Sequence, residues 1–122
     1  MRRSMERKIV IIEDDRTIQK TLSLILKDKY KIAVYSTGEE ALEEIDNDPI
    51  DLIITDYKLP GINGLEIIEK LRKQGFRGKT ILVSAYPDLI NVKDIEKFGV
   101  DYLFVKPLDL NKLIMSIRHL LS

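Results

Sequence analysis

The chain has 122 residues, 44% hydrophobic and 33% charged, which suits one globular domain and excludes disorder. Its 20 basic residues balance 20 acidic ones, so binding to nucleic acid by bulk charge is excluded, although a local basic patch is not. Without cysteine there is neither a disulfide nor a thiolate-held metal, and no apolar stretch nears the ~20 residues that span a bilayer.

In chain order, residues 1–7 read as a basic N-terminal tail in which Met5 is an alternative start. No hydrophobic segment of signal-peptide length follows them, so a cytoplasmic protein is expected, with one domain over residues 8–122. The first strand is read at Lys8–Ile12 and runs into Glu13-Asp14-Asp15. Ile18, Leu22, Ile25 and Leu26 then recur at helical spacing. A second, more mixed strand at Lys31–Tyr35 suits a sheet edge. Thr37 can cap the helix carrying Ala41, Leu42 and Ile45. The third strand, Leu52–Thr55, delivers Asp56 and is stopped by Leu59-Pro60-Gly61.

Leu65, Ile68 and Leu71 mark a third helix, which Gly75 can end. The fourth strand, Thr80–Ser84, ends on a hydroxyl, and Leu89, Val92 and Ile95 read as a fourth helix closed by Gly99. The fifth strand, Tyr102–Val105, runs into Lys106-Pro107. Asp109 can cap the last helix, which carries Leu110, Leu113, Ile114, Ile117 and Leu121 and reaches Ser122. There is no linker, repeat or low-complexity segment, and no room is expected for a second domain.

Strict alternation of strand and helix predicts a parallel sheet covered on both faces. Continuous apolar runs in the first, third and fourth strands place them centrally. Right-handed crossovers then favour a flavodoxin-like (βα)5 three-layer sandwich with strand order 2-1-3-4-5 and ligands at the C-terminal strand ends. That edge collects acids (Glu13, Asp14, Asp56), a hydroxyl (Ser84) and an amine (Lys106). Carboxylates held a few ångströms apart repel, and a hard divalent cation offsets the repulsion.

Each residue also has a plainer reading. Acids at a helix start complement the helix dipole, and Asp15 reads as a helix cap. Asp before Pro-Gly is common in turns. Ser84 alone is a satisfied hydroxyl and Lys106 alone a solvated charge. Convergence of all four strand ends outweighs these readings. His119, beside Arg118, lies away from this edge and reads as a surface residue. Tyr86, Tyr102 and Phe104 read as packing groups rather than nucleic-acid stackers.

From about Lys8 to Ser122 the chain resembles a response-regulator receiver domain of two-component signalling. Glu13-Asp14, Asp56 with Leu59-Pro60-Gly61 and Gly64, Ser84-Ala85 and Lys106-Pro107 carry the resemblance in order. The strings Asp-Tyr-Lys-Leu-Pro-Gly and Ser-Ala-Tyr-Pro-Asp-Leu add a closer likeness to stand-alone sporulation-type relay receivers.

The resemblance implies that Asp56 accepts a phosphoryl group, as in aspartyl-phosphate chemistry. It implies Mg²⁺ (or Mn²⁺) on Glu13, Asp14, Asp56 and the backbone carbonyl of Lys58, which suits an ion that keeps several waters. Lys106 would neutralise phosphoryl oxygens and Ser84 would hydrogen-bond another. Lys58 and Tyr86 would modulate water access to the acyl phosphate. The donor would be a histidine kinase or histidine phosphotransfer protein, docking on Ile18, Thr21, Pro107 and Leu108, although Ile18 also suits core packing. A cis Lys106-Pro107 bond is expected to aim the lysine. A downstream protein would read the face made by the fourth helix, fifth strand and fifth helix. Neither direct nucleic-acid binding nor membrane attachment is implied.

One position departs from the family pattern. Where the fifth strand usually carries a switching aromatic stands Leu103, and Tyr102 and Phe104 flank it on the opposite strand face. Coupling through Ser84 and helix repacking is therefore expected instead. Competing readings are a receiver cut from a larger DNA-binding or enzymatic regulator, and a non-phosphorylated docking pseudo-receiver. An aspartyl phosphatase is a third, but Lys58 occupies the place of its second acid. A conventional enzyme is not expected.

Overall fold

The computed structural model describes residues 7–45 and 49–122. The expected tail falls almost wholly outside them. Arg7, its last residue, pairs with Asp51 at 3.4 Å.

Five strands form one sheet: β1 (Lys8–Ile12), β2 (Lys31–Tyr35), β3 (Leu52–Asp56), β4 (Lys79–Ser84) and β5 (Tyr102–Val105). All four pairings are parallel, and the order is β2-β1-β3-β4-β5. The helices are α1 (Arg16–Leu26), α2 (Gly38–Glu44), α3 (Gly64–Lys73), α4 (Val92–Lys97) and α5 (Leu110–Leu121). This is the flavodoxin-like architecture expected from the alternation. No helix among the described residues is long and apolar enough to cross a membrane.

Side chains alternate across a strand, so each central strand must be apolar on both faces. Ile9, Ile11, Leu52, Ile54, Ile81 and Val83 pack with Leu22 and Leu26 of α1 and Leu113, Ile117 and Leu121 of α5. On the opposite face, Val10, Ile12 and Ile53 meet Ala41 of α2 and Ile67 and Leu71 of α3. A smaller cluster joins Leu82 to Leu65 and Ile68 of α3 and to Ile90. Each fully buried Ile or Leu contributes about 1.5–3 kcal/mol relative to exposure.

The caps fall where the sequence placed them. Asp15 accepts from the Thr17 and Ile18 amides, Thr37 from Glu40 and Asp109 from Lys112. Gly75 and Gly99 follow α3 and α4 with φ of 97° and 67°, a region costly for residues with a Cβ.

The fourth helix differs from expectation. Leu89 belongs to a separate 3₁₀ turn over Pro87–Leu89, and α4 begins only at Val92, where Asn91 caps the Lys93 amide. The Asn91 cap restarts the helix and leaves Ile90, rather than Leu89, as the buried anchor. Leu89 and Val92 are exposed, and α4 has no buried residue.

Candidate functional site

Parallel strands bring all their C-terminal ends to one edge, and the strand order makes β1 and β3 neighbours there. Ile12 pairs with Thr55, so the next residues, Glu13 and Asp56, lie side by side. Asp56 pairs with Val83, and Ser84 with Val105, so Ser84 and Lys106 complete the row. The ladder continues into the site: Glu13 N–H donates to Tyr35 O at 3.0 Å, Tyr57 N–H to Val83 O at 2.7 Å, and Lys106 N–H to Ser84 O at 2.9 Å.

One oxygen from each of Glu13, Asp14 and Asp56 lies within 4.8 Å of the others. Glu13 and Asp56 are buried and Asp14 is exposed. The Lys106 ammonium donates to Glu13 Oε1 at 3.1 Å and to Asp56 Oδ2 at 2.9 Å. One ammonium against three carboxylates leaves an excess of negative charge. At such spacing each like-charged pair costs about 3 kcal/mol at an effective dielectric of about 20.

The titration behaviour follows from this crowding. Burial pushes the Glu13 carboxyl up to about 7; the Asp56 charge adds to the rise, and hydrogen bonds from the Asp15 amide and Lys106 oppose it. Burial alone would lower Lys106, but hydrogen bonds to Asp56 and Glu13 outweigh it, and its pKa is raised. All-oxygen donors with surplus charge fit a hard divalent cation, and unlike thiolate or imidazole they do not select a soft one.

Ser84 is buried, and its Oγ accepts from the Tyr86 amide at 2.8 Å, which leaves the hydroxyl proton free to donate elsewhere. The loop after β3 needs two glycines. A Cβ on Gly64 would sit 2.3 Å from the Asp56 carbonyl oxygen, so only glycine lets α3 begin against the acid's own backbone. Gly61 turns with φ of 80°. The Tyr57 carbonyl accepts from the Gly64 amide at 2.8 Å.

The proposed docking residues also converge. Ile18, Thr21, Pro107 and Leu108 line a cavity of about 240 Å³ beside Lys106. Ile18 packs on the core as well, as its plainer reading expects. The Lys106-Pro107 bond is cis. A larger cavity, about 660 Å³, opens beside Arg7, Asp51 and Lys79 at the N-terminal strand ends, the wrong edge for this chemistry. His119 is exposed on α5, and Tyr102 and Phe104 pack against the core.

Three contacts escaped the sequence reading. The Lys58 ammonium lies over the Tyr86 ring. The Gln19 side-chain amide reaches both the Glu13 carbonyl and Ser36 Oγ. Glu39 accepts from the Ile62 amide. Apart from the Gln19–Glu13 bond, these contacts join segments far apart in sequence, and no local motif marks them.

A five-stranded parallel α/β domain with an acid cluster, a hydroxyl and a lysine on successive strand ends defines a class. Residues 9–118 match the family model described as the response regulator receiver domain, and the chain belongs to that family. It is 35% identical over 118 residues to the TorCAD operon transcriptional regulatory protein TorR of Escherichia coli O157:H7, covering 96% of this chain and 51% of that protein. The chain thus spans about half the length of the curated relatives it matches.

Among solved structures it resembles a CheY-like receiver domain protein from Methanospirillum hungatei JF-1, with TM-score 0.85, 31% identity and coverage of 93% and 91% of the two chains. It also resembles the response regulator TrrA from Thermotoga maritima, solved in complex with Mg²⁺-BeF, with TM-score 0.81, 31% identity and coverage of 95% and 100%.

Proposed function

We propose that Asp56 is the phosphoacceptor of this receiver, taking a phosphoryl group from a phosphohistidine on a histidine kinase or histidine phosphotransfer protein. The observation that carries this reading is Lys106, hydrogen-bonded to both Glu13 and Asp56 within an acid cluster of surplus charge. Glu13, Asp14, Asp56 and the Lys58 backbone carbonyl would hold Mg²⁺ or Mn²⁺. When bound, the ion supplies charge neutralisation for a phosphoryl group.

This chain's residues do the rest. The Asp56 carboxylate forms an O–P bond as the P–N bond to the donor imidazole breaks, its electron pair returning to the ring nitrogen. The Lys106 ammonium and the Ser84 hydroxyl, whose proton is uncommitted, each take one phosphoryl oxygen. Little covalent work is asked of the protein beyond position and charge, as phosphoryl transfer requires. The domain is then a phosphoacceptor that loads and unloads itself and not a conventional enzyme.

The cavity of Ile18, Thr21, Pro107 and Leu108 beside Lys106 is the proposed docking site for the donor. TrrA has also been solved in complex with the histidine kinase ThkA, and that chain covers 96% of this one at 30% identity and TM-score 0.80. The downstream partner is assigned to the α4-β5-α5 face, where Val92, Leu103, Val105 and Met115 are exposed. A cytoplasmic setting is the natural one for such a relay.

Incubation with Mg²⁺ and acetyl phosphate, followed by intact mass, tests the proposal. One added phosphoryl group is expected, absent in Asp56→Ala and after chelation. No adduct with any donor would instead favour a docking pseudo-receiver.

A further inference from the structure

The loop from Tyr57 to Asn63 is tied at its ends. The Tyr57 amide and carbonyl are both taken, by Val83 and Gly64, so the first uncommitted step of the loop after Asp56 is Lys58. Between these ties Leu59 is buried in the core. Beside the Lys58–Tyr86 contact, a further polar hold on the loop comes from α2. Glu39, in the first turn of α2, accepts through Oε2 from the Ile62 amide at 3.3 Å. The same oxygen lies so close to Gly61 that a Cβ there would sit 2.1 Å from it.

The approach of α2 is itself built in. Gly38 is buried, and a Cβ on it would lie 2.5 Å from Ile67 Cδ1 and 2.9 Å from Ile62 Cγ1. Glycine at position 38 therefore lets α2 start directly against α3 and Ile62, within a carboxylate's reach of the loop. The neighbouring Glu40 turns the other way and accepts from the Ser36 amide at 3.0 Å. The first turn of α2 thus braces the loop after β2 with one acid and the loop after β3 with the next.

We propose that Glu39 is a positioning residue for the acid site: by holding the Ile62 amide, close against Gly61, it fixes the loop that carries the Lys58 carbonyl, and so raises affinity for Mg²⁺. The inference rests on the metal assignment made above. Any acid in the first turn complements the helix dipole, but that role needs charge and no particular partner. The brace needs a hydrogen-bond acceptor at this position and no charge.

Glu39→Gln keeps the acceptor and Glu39→Ala removes it, so the pair separates the two roles. Amide hydrogen exchange of the Mg²⁺-free protein is read at Ile62, and Mg²⁺ affinity by calorimetric or amide-shift titration, with Asp14→Asn as control. Loss of one hydrogen bond of ordinary net strength corresponds to about 2- to 10-fold in an equilibrium. Glu39→Ala should speed exchange at Ile62 and weaken Mg²⁺ by about that factor, while Glu39→Gln stays within about twofold of wild type. Unchanged Mg²⁺ affinity in Glu39→Ala, or an equal loss in both variants, overturns the brace. If wild type binds Mg²⁺ no better than Asp14→Asn, the metal assignment itself fails, whereas exchange at Ile62 still reports whether Glu39 holds the loop.

Discussion

The Lys58 ammonium lies 5.4 Å from the centroid of the Tyr86 ring, so the loops leaving Asp56 and Ser84 are joined by a cation–π contact. Half of Tyr86 is exposed, and the pair forms a partial cover whose value at such sites is about 0.5–1 kcal/mol. If the cover slows entry of water, Tyr86→Ala should shorten the half-life of the aspartyl phosphate by about two- to fivefold, a change of that same size. Tyr86→Phe should preserve it. Lys58→Ala should act in the same direction, and the double variant should be less than additive. An unchanged half-life in Tyr86→Ala rejects shielding.

Removing Lys106 should split two properties that other site variants lose together. Lys106 is the cation bound to both Glu13 and Asp56. Lys106→Met raises the surplus negative charge, so Mg²⁺ should bind at least as tightly as in wild type. Phosphorylation by acetyl phosphate should nevertheless slow by about a hundredfold, the usual effect of losing one oriented donor to a developing phosphoryl charge. Parallel titration and intact-mass time courses read both. A fall in Mg²⁺ affinity would mean that Lys106 organises the acids rather than competing with the ion.

Glu13 makes stability depend on pH in a defined direction. Burial raises its folded value from 4.5 to about 7, so between these values the folded state binds more protons than the unfolded one. Stability of the metal-free protein from this group is therefore greatest below about pH 4.5 and declines as pH rises through about 7. The ceiling is about 3 kcal/mol. Urea unfolding in chelator at pH 5 and pH 8 should show this decline, and Glu13→Gln should abolish it. Added Mg²⁺ should stabilise more at pH 8, where Glu13 is ionised. Identical slopes for wild type and Glu13→Gln would remove Glu13 as the cause.

The site was legible because its residues stand at strand ends, and parallel strands send those ends to one edge whatever the helices do between. Asp15 was legible as a cap for a similar reason, since its role is settled within three residues. Leu89 was misplaced because its spacing to Val92 and Ile95 fits a helix, while the competing signal, Asn91 as a new cap, is equally local. The Lys58–Tyr86 contact depends on the register of β3 with β4, and the Glu39 brace on how closely Gly38 lets α2 approach α3. Such contacts arise only once the sheet is assembled, so no single segment announces them.

Arg72 is another residue whose role appears only in three dimensions. Its guanidinium donates to the carbonyls of Phe76, Gly78, Phe98 and Gly99 at 2.9–3.2 Å, tying α3 to the end of α4 and the start of β4. Arg72→Met keeps the apolar stem but leaves four acceptors without this donor. A loss of about 2–4 kcal/mol in urea unfolding is expected, with Mg²⁺ affinity little changed because these acceptors lie away from the acid cluster. A loss below about 0.5 kcal/mol would place Arg72 among ordinary surface residues.

Any route from Asp56 to the proposed α4-β5-α5 output face is constrained by β5. Tyr102 and Phe104 pack inward with ring centroids 6.0 Å apart, while Leu103 and Val105 lie on the other face, 38% and 50% exposed. No aromatic on the α4 side of β5 is available to turn inward. On that side α4 contributes no buried residue and is held at its C-terminal end by Arg72. The element freest to respond to a move of Ser84 is therefore the stretch from Tyr86 through the start of α4, anchored chiefly by Ile90. With a beryllofluoride mimic bound, amide shifts should change across residues 84–95, and the ring signals of Tyr102 and Phe104 should stay near their resting positions. Amides unmoved throughout 87–105 would sink this route, and large ring shifts on β5 would return the switch to the aromatic pair.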